Sequence, residues 1–258
     1  MHDGLKALDA ALAVRRTPLR LFLRDDDAGW RDDRLLALID ATTALGVPLD
    51  LAVIPCACTP ALARVLVGRL DATPGLLAVH QHGFAHLDHG AGRERRCEFG
   101  TGRDLAAQRD DLLQGRRLLR ESFGDRLGNL FTPPWNRCAP QTPALLAELG
   151  FAALSRDRRA PVQTDLPEIA VDIDWCRLRR EGVSQLDGMA AALARAIEEV
   201  GDVPGPAGAV GLMLHHAAMD ADDLGLLSRL LQRLRADPRV HCVSMGQLLA
   251  DVPEAACD

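Results

Sequence analysis

VHQHGFAHLDH, residues Val79 to His89, holds four of the eight histidines of this 258-residue chain: His80, His82, His86 and His89. Neutral imidazole is the commonest metal-binding side chain. His82 and His86, four apart with Gly83 between them, are spaced to meet one cation. On a surface helix the same spacing would mean nothing. The apolar run in front of it argues for the first reading, because Leu76 to Val79 reads as a buried strand and the histidines begin where that strand ends. In parallel α/β folds, ligands bind at the carboxyl ends of strands. Other strands of the chain should then end in matching chemistry.

On either side of this stretch, short apolar runs alternate with amphipathic segments. Residues 3 to 16 pattern as a helix stopped by Thr17-Pro18. Strands are expected at Leu19–Leu23, Pro48–Ile54, Leu76–Val79, Leu127–Phe131, Phe151–Leu154, Ile169–Ile173, Ala209–Leu214 and Val240–Val243. Helices are expected over Asp32–Leu45, from Thr59-Pro60 through Leu70, over Asp104–Phe123, from Thr142 to Gly150, and over Leu186–Val200, Asp220–Leu234 and Met245–Val252. Thr59 followed by Pro60 is a cap with proline at the first helical position. His89 to Thr101 is polar and reads as a loop. Short apolar strands alternating with helices mean a parallel sheet covered on both faces, either a barrel or a doubly wound sheet.

Composition removes several functions. Apolar residues make up 48%, enough for a large core. A formal net charge of -6 gives no electrostatic support for a nucleic-acid partner. Tyrosine is absent, so stacking must rest on Trp30, Trp135, Trp175 or six phenylalanines. Seven cysteines without a CxxC pair read as reduced thiols. No apolar run reaches the roughly 18 residues of a membrane span, and the first residues lack a secretory apolar stretch. A cytoplasmic location is the expectation. No glycine-rich nucleotide-binding motif follows the first strand.

The strand ends do match. Strand one ends in Asp25, Asp26 and Asp27, strand three in the histidines, and strand four in Thr132-Pro133-Pro134-Trp135. Strand six ends in Asp172-Ile173-Asp174-Trp175 and strand seven in His215-His216. Each alone has an ordinary reading, such as a helix cap, a strand stop or a surface histidine. At one pole of a parallel sheet they converge. One carboxylate and two imidazoles fit a catalytic divalent metal with open positions for water and substrate. A second carboxylate can then act as general base and a histidine across the pocket as general acid.

The ordered set RDDDAG, HGFAH, FTPPWN, DIDW and LMLHH, spanning Arg24 to His216, resembles the five motifs of the polysaccharide deacetylase superfamily (NodB homology, carbohydrate esterase family 4). The resemblance implies a distorted (β/α)7 barrel, with residues 1–258 as a single domain of this type preceded by an N-terminal helix over about residues 1–16. It implies Asp26 as general base and Asp27, His82 and His86 as ligands of a divalent metal, zinc first. Asp25 and Asp26 are the other possible register for the aspartate pair. Trp135 is the implied backbone donor to the oxyanion, being the first residue with an N–H after two prolines. Asp174 tunes the catalytic histidine. His215 is the general acid, with His216 as its substitute. The family commonly has Arg where this chain has Thr132; Arg137 or Arg24 could replace it. The implied activity is removal of an N-acetyl group from an amino sugar or glycan precursor. Two rivals stand beside it: a cytoplasmic amidohydrolase of the same fold cutting a non-sugar C–N bond, and a non-catalytic metal- or sugar-binding protein.

Overall fold

The computed structural model describes residues 3–90, 95–161 and 166–251. Its first strand, β1 (Leu19–Ala28), sets the logic of the rest. Side chains alternate across a strand. Leu19, Leu21 and Leu23 join the large apolar cluster beneath the helices, whereas Phe22 packs with Met213, Ile169 and Met245 in a separate, smaller cluster. The two clusters are the outside and the inside of a barrel wall. Phe22 shares its inward face with Arg24 and Asp26, both buried.

The wall continues through β2 (Leu49–Val53), β3 (Leu77–His82), β4 (Leu127–Thr132), β5 (Ala153–Leu154), β6 (Ile173–Asp174) and β7 (Val210–Leu214). These strands are parallel, in the order β5-β4-β3-β2-β1-β7-β6, and β8 (Val240–Cys242) pairs with the start of β1. Among the described residues, the β5 edge meets the segment leading into β6 through single bridges, Leu154–Glu168 and Asp157–Val171. This is the expected distorted (β/α)7 barrel, a curled seven-stranded sheet with one weak seam. The expected strand Ile169–Ile173 contracts to Ile173–Asp174. Its first residues bond one at a time, Ile169 N–H to Leu154 O, Val171 N–H to Arg156 O and Asp172 N–H to Gly211 O.

Around the wall lie α1 (Asp3–Ala13), α2 (Asp32–Ala44), α3 (Pro60–Ala72), α4 (Leu105–Phe123), α5 (Thr142–Glu148), α6 (Trp175–Arg180), α7 (Leu186–Val200), α8 (Ala221–Arg235) and α9 (Met245–Ala250). The Thr59 hydroxyl caps α3 by accepting the Leu62 N–H at 3.1 Å. The first helix is shorter than expected, ending at Ala13. It docks on α7, where Asp187 Oδ1 accepts the Gly4 and Leu5 N–H groups at 3.0 and 3.1 Å. Val252, the expected end of the last helix, lies outside the described residues. Met245 and Leu248 of α9 fill part of the barrel interior, and the strands' carboxyl ends stay free for chemistry. No described helix is long and apolar enough to cross a membrane.

Candidate active site

The aspartate triplet at the end of β1 is split three ways by a bulge. The β1–β2 register slips between Asp25 and Ala28, and Asp27 takes a positive φ of 71°. Bulges re-aim side chains that a regular strand would send to alternate faces. Asp25 faces out of the barrel and accepts from His216, at 2.6 Å from Nδ1 and 2.9 Å from the backbone N–H. Asp26 shares the inward face with Arg24, which grips both its oxygens at 2.7 and 2.9 Å. Asp27 Oδ1 lies 3.3 Å from His82 Nε2 and 3.1 Å from His86 Nε2. In this register Asp27 meets the imidazoles and Asp26 stands beside it.

His82 is the last residue of β3. Its Nδ1 lies 3.0 Å from the Thr132 carbonyl oxygen, which can only accept. Nδ1 therefore carries a proton, and Nε2 is the nitrogen that would offer its lone pair to a cation. His86 is not one helical turn further on. The chain leaves β3 through left-handed conformations at Gly83 and His86, both with φ of 56°. The buried Glu98 carboxylate holds that turn by accepting N–H groups of Phe84, Ala85 and Leu87 at 3.1, 2.8 and 3.4 Å. A side chain at Gly83 would meet Glu98 Oε2 at 2.1 Å and Pro134 at 2.6 Å. The His86 ring lies between two indoles, 4.8 Å from Trp30 and 4.4 Å from Trp135. His80 faces into the barrel, 2.8 Å from the Thr132 hydroxyl. Burial, with the charge of Arg24, lowers its pKa to about 3, so it is neutral. His89 is exposed. Of the four clustered histidines, two converge.

These residues fit a cation. His82 Nε2 and Asp27 Oδ1 are buried without a hydrogen-bond partner, although they face each other. With His86 they place three ligand atoms within 4.8 Å of one another. One carboxylate and two imidazoles suit zinc or another first-row ion. Burial opposes ionisation of Asp27, but contact with both imidazoles outweighs it and holds the carboxyl far below its usual range. Asp26 is also lowered. Burial is the largest effect and opposes this, while Arg24, His82 and His215 overcome it.

Arg24, not Arg137, is the arginine on Asp26. Its remaining N–H groups donate to Ser155 Oγ and Asn136 Oδ1, each at 2.7 Å. Arg137 instead donates to the Arg96 carbonyl at 3.1 Å and lines a neighbouring cleft. On the far wall, His215, Asp174 and Cys176 bring ligand atoms within 4.8 Å of one another, and His215 Nδ1 is buried without a partner. His216 has no ring N–H free to face a substrate. Both its ring nitrogens are engaged, by Asp25 and by the Trp30 carbonyl at 2.6 Å. Burial lowers its pKa, yet Asp25 and that carbonyl overcome the loss and push it up to about 9. Trp135 sits in a left-handed turn after the two prolines. Trp175 is no stacking platform: it is fully buried, its indole N–H donating to Asp223 at 3.1 Å. Asp172 is tied to Arg158 and to the Gly211 N–H. Glu98, Asn136 and Ser155 were not singled out by the sequence.

No family model matches the chain, and no curated protein does. Solved structures do. A putative polysaccharide deacetylase from Mycobacterium smegmatis superposes with a TM-score of 0.63 over 92% of this chain and 93% of its own, at 16% identity. The fold is that of the polysaccharide deacetylases. A family 4 acetyl xylan esterase from Clostridium thermocellum, bound to a cobalt ion, follows at a TM-score of 0.58, covering 90% of each chain at 13% identity. Puue allantoinase matches at 0.64 over 92% of this chain and 90% of its own, with 16% identity. The polysaccharide deacetylase fold is thus shared by sugar esterases and an allantoinase, and the chemistry must be argued from the side chains.

Proposed function

We propose that the protein is a metal-dependent hydrolase that removes an N-acetyl group from an amino sugar or glycan precursor. The observation that carries this reading is the β1 bulge, which sets Asp27 against His82 and His86 while leaving Asp26 on Arg24 beside them. A divalent ion held by Asp27, His82 and His86, zinc first, would polarise the acetyl carbonyl and lower the pKa of a bound water. Asp26, kept ionised by Arg24, takes the proton of the attacking water. The Trp135 N–H donates to the carbonyl oxygen as negative charge develops there. His215, with Asp174 nearby to orient it, delivers a proton to the amine as the C–N bond breaks, releasing acetate. Arg137 lines the side from which the sugar enters.

Hydrolysis of a non-sugar C–N bond is the second reading. It is favoured by the arginine on the base coming from β1 where the family commonly places one at the position of Thr132. The six described cysteines are free, which suits a reducing compartment, and the cytoplasm is the proposed location. The test is to replace His82 and His86 singly by alanine and to measure bound metal and acetate release from N-acetylated sugars together. Both should vanish in each variant. A folded, metal-free and fully active variant would overturn the mechanism, and metal binding with release only from ureides would favour the second reading.

A further inference from the structure

Trp135, Asn136, Asp174 and Met213 also form one side of an open cleft of about 920 Å³. That is room for an organic ligand well beyond an acetamide group. Six arginines line it, Arg95, Arg137, Arg156, Arg159, Arg177 and Arg180, against two aspartates, Asp157 and Asp174. On a chain of net charge -6 this is a local reversal of sign.

One of the six is committed elsewhere, and a second has a carboxylate at the edge of reach. Arg156 is neutralised by Glu168 at 2.6 Å, and Arg159 has Asp157 at 3.8 Å. The others keep unspent donors. Arg177 Nε is buried with no hydrogen-bond partner, and its nearest carboxylate, Glu181, is 3.8 Å away. Arg137 makes one bond to a backbone carbonyl. Arg95 and Arg180 are exposed and pair with no carboxylate among the described residues. The amide chemistry proposed above uses the charge of Arg24, which does not line the cleft, and none of these six. Like charges gathered at one cleft repel one another, and an anion between them relieves that. The planar guanidinium fork matches phosphate and carboxylate oxygens in particular.

We infer that the cleft binds an oxyanion carried by the substrate, a phosphate or a carboxylate attached to the sugar whose amide is cut. The amide part of this statement rests on the deacetylase reading; the anion part rests on the cleft lining alone.

The test uses the full-length, metal-loaded protein and three probes: N-acetylglucosamine, its 1-phosphate, and N-acetylmuramic acid, which adds a carboxylate. Calorimetry gives affinities for the wild type, for the Arg95→Gln/Arg180→Gln double variant and for Arg180→Glu. Both positions are exposed, and thermal melts check that the variants fold. At least one anionic probe should bind about tenfold more tightly than the neutral sugar. Which one gains identifies the oxyanion. The advantage should shrink in the double variant, reverse or vanish in Arg180→Glu, and fade with added salt. The neutral sugar should bind all three proteins alike. If neither anionic probe gains, or if the gain survives unchanged in both variants, the inference is wrong. Acetate release from the same samples separates the two readings. Anion-selective binding without acetate from any probe sinks the deacetylase reading and leaves the cleft assignment. Release from neutral and anionic probes with equal KM does the opposite.

Discussion

Replacing Glu98 by alanine tests whether the turn that carries His86 is built by one carboxylate. Glu98 is fully buried and accepts the Phe84 and Ala85 N–H groups at 3.1 and 2.8 Å, with a weaker third contact to Leu87 at 3.4 Å. Hydrogen bonds to a charged acceptor contribute about 1.5–3 kcal/mol each, so two good ones come to about 3–6 kcal/mol. Part of that returns, because Leu87 is exposed and the turn can reach water, and because the cost of burying the carboxylate disappears. A net loss of about 2–4 kcal/mol is expected, or about 5–15 °C in Tm for a domain of this size. The turn also aims His86, and loss of a supporting partner costs metal affinity about 10–100-fold. Glu98→Gln should fall between, since one oxygen can still accept from Ala85 while its amide nitrogen faces the Phe84 N–H. Urea denaturation without metal reads the first effect, and a competitive metal titration reads the second. If Glu98→Ala keeps wild-type stability and affinity, the turn is held by something else.

Gly83→Ala puts a methyl group 2.1 Å from Glu98 Oε2 at a φ of +56°, so it should lose metal affinity and several degrees of Tm by the same two measurements. Asp50 is buried in β2 with its Oδ2 on the Met245 N–H at 2.9 Å. Burial raises its carboxyl to about 7, the Met245 bond and Arg24 only partly offsetting this. The unfolded chain then releases a proton near pH 4 that the folded chain keeps to about pH 7, so the contribution of Asp50 to stability should fall across that window at up to about 1.4 kcal/mol per unit, against the opposite slope that buried, neutral His80 contributes up to about pH 6.5. Relative to Asp50→Asn, the wild type should therefore lose stability steadily from pH 4 to 7 and be the less stable protein at pH 8, which denaturation of both from pH 4 to 8 checks. His216→Gln leaves buried Asp25 without its cation, at a cost of about 3–5 kcal/mol near pH 6. Because the folded pKa of His216 is raised to about 9, the wild-type advantage is full below about 6.5 and disappears as pH rises through 9. An equal gap at pH 6 and pH 10 would remove His216 from that role.

What could be read in the sequence was what depends on period and punctuation. The short apolar run Leu19 to Leu23 marked β1, and Thr59-Pro60 marked the start of α3. Strand ends flagged Asp27 and Thr132, which now lie against His82. Arg24 was also within reach, since residues two apart on a strand share a face and Asp26 follows it by two. The bulge was not legible, because Asp25-Asp26-Asp27 has no glycine to announce a positive φ. The helix α6 was hidden because Asp174 was read as a strand end, whereas its side chain accepts the Arg177 N–H at 3.0 Å and starts the helix. Glu98 lay in a stretch expected only as loop. Its acceptors matter through a fold that brings residue 98 beneath residues 84 to 87, and no local pattern encodes that.

The pair of indoles around His86 has a practical side. Tyrosine is absent, Trp175 is sealed inside, and the other two tryptophans flank one imidazole. Ultraviolet emission from this chain is therefore a steady background plus two lamps beside a single ring. Cobalt or copper arriving at that ring should dim them, giving a label-free titration of occupancy.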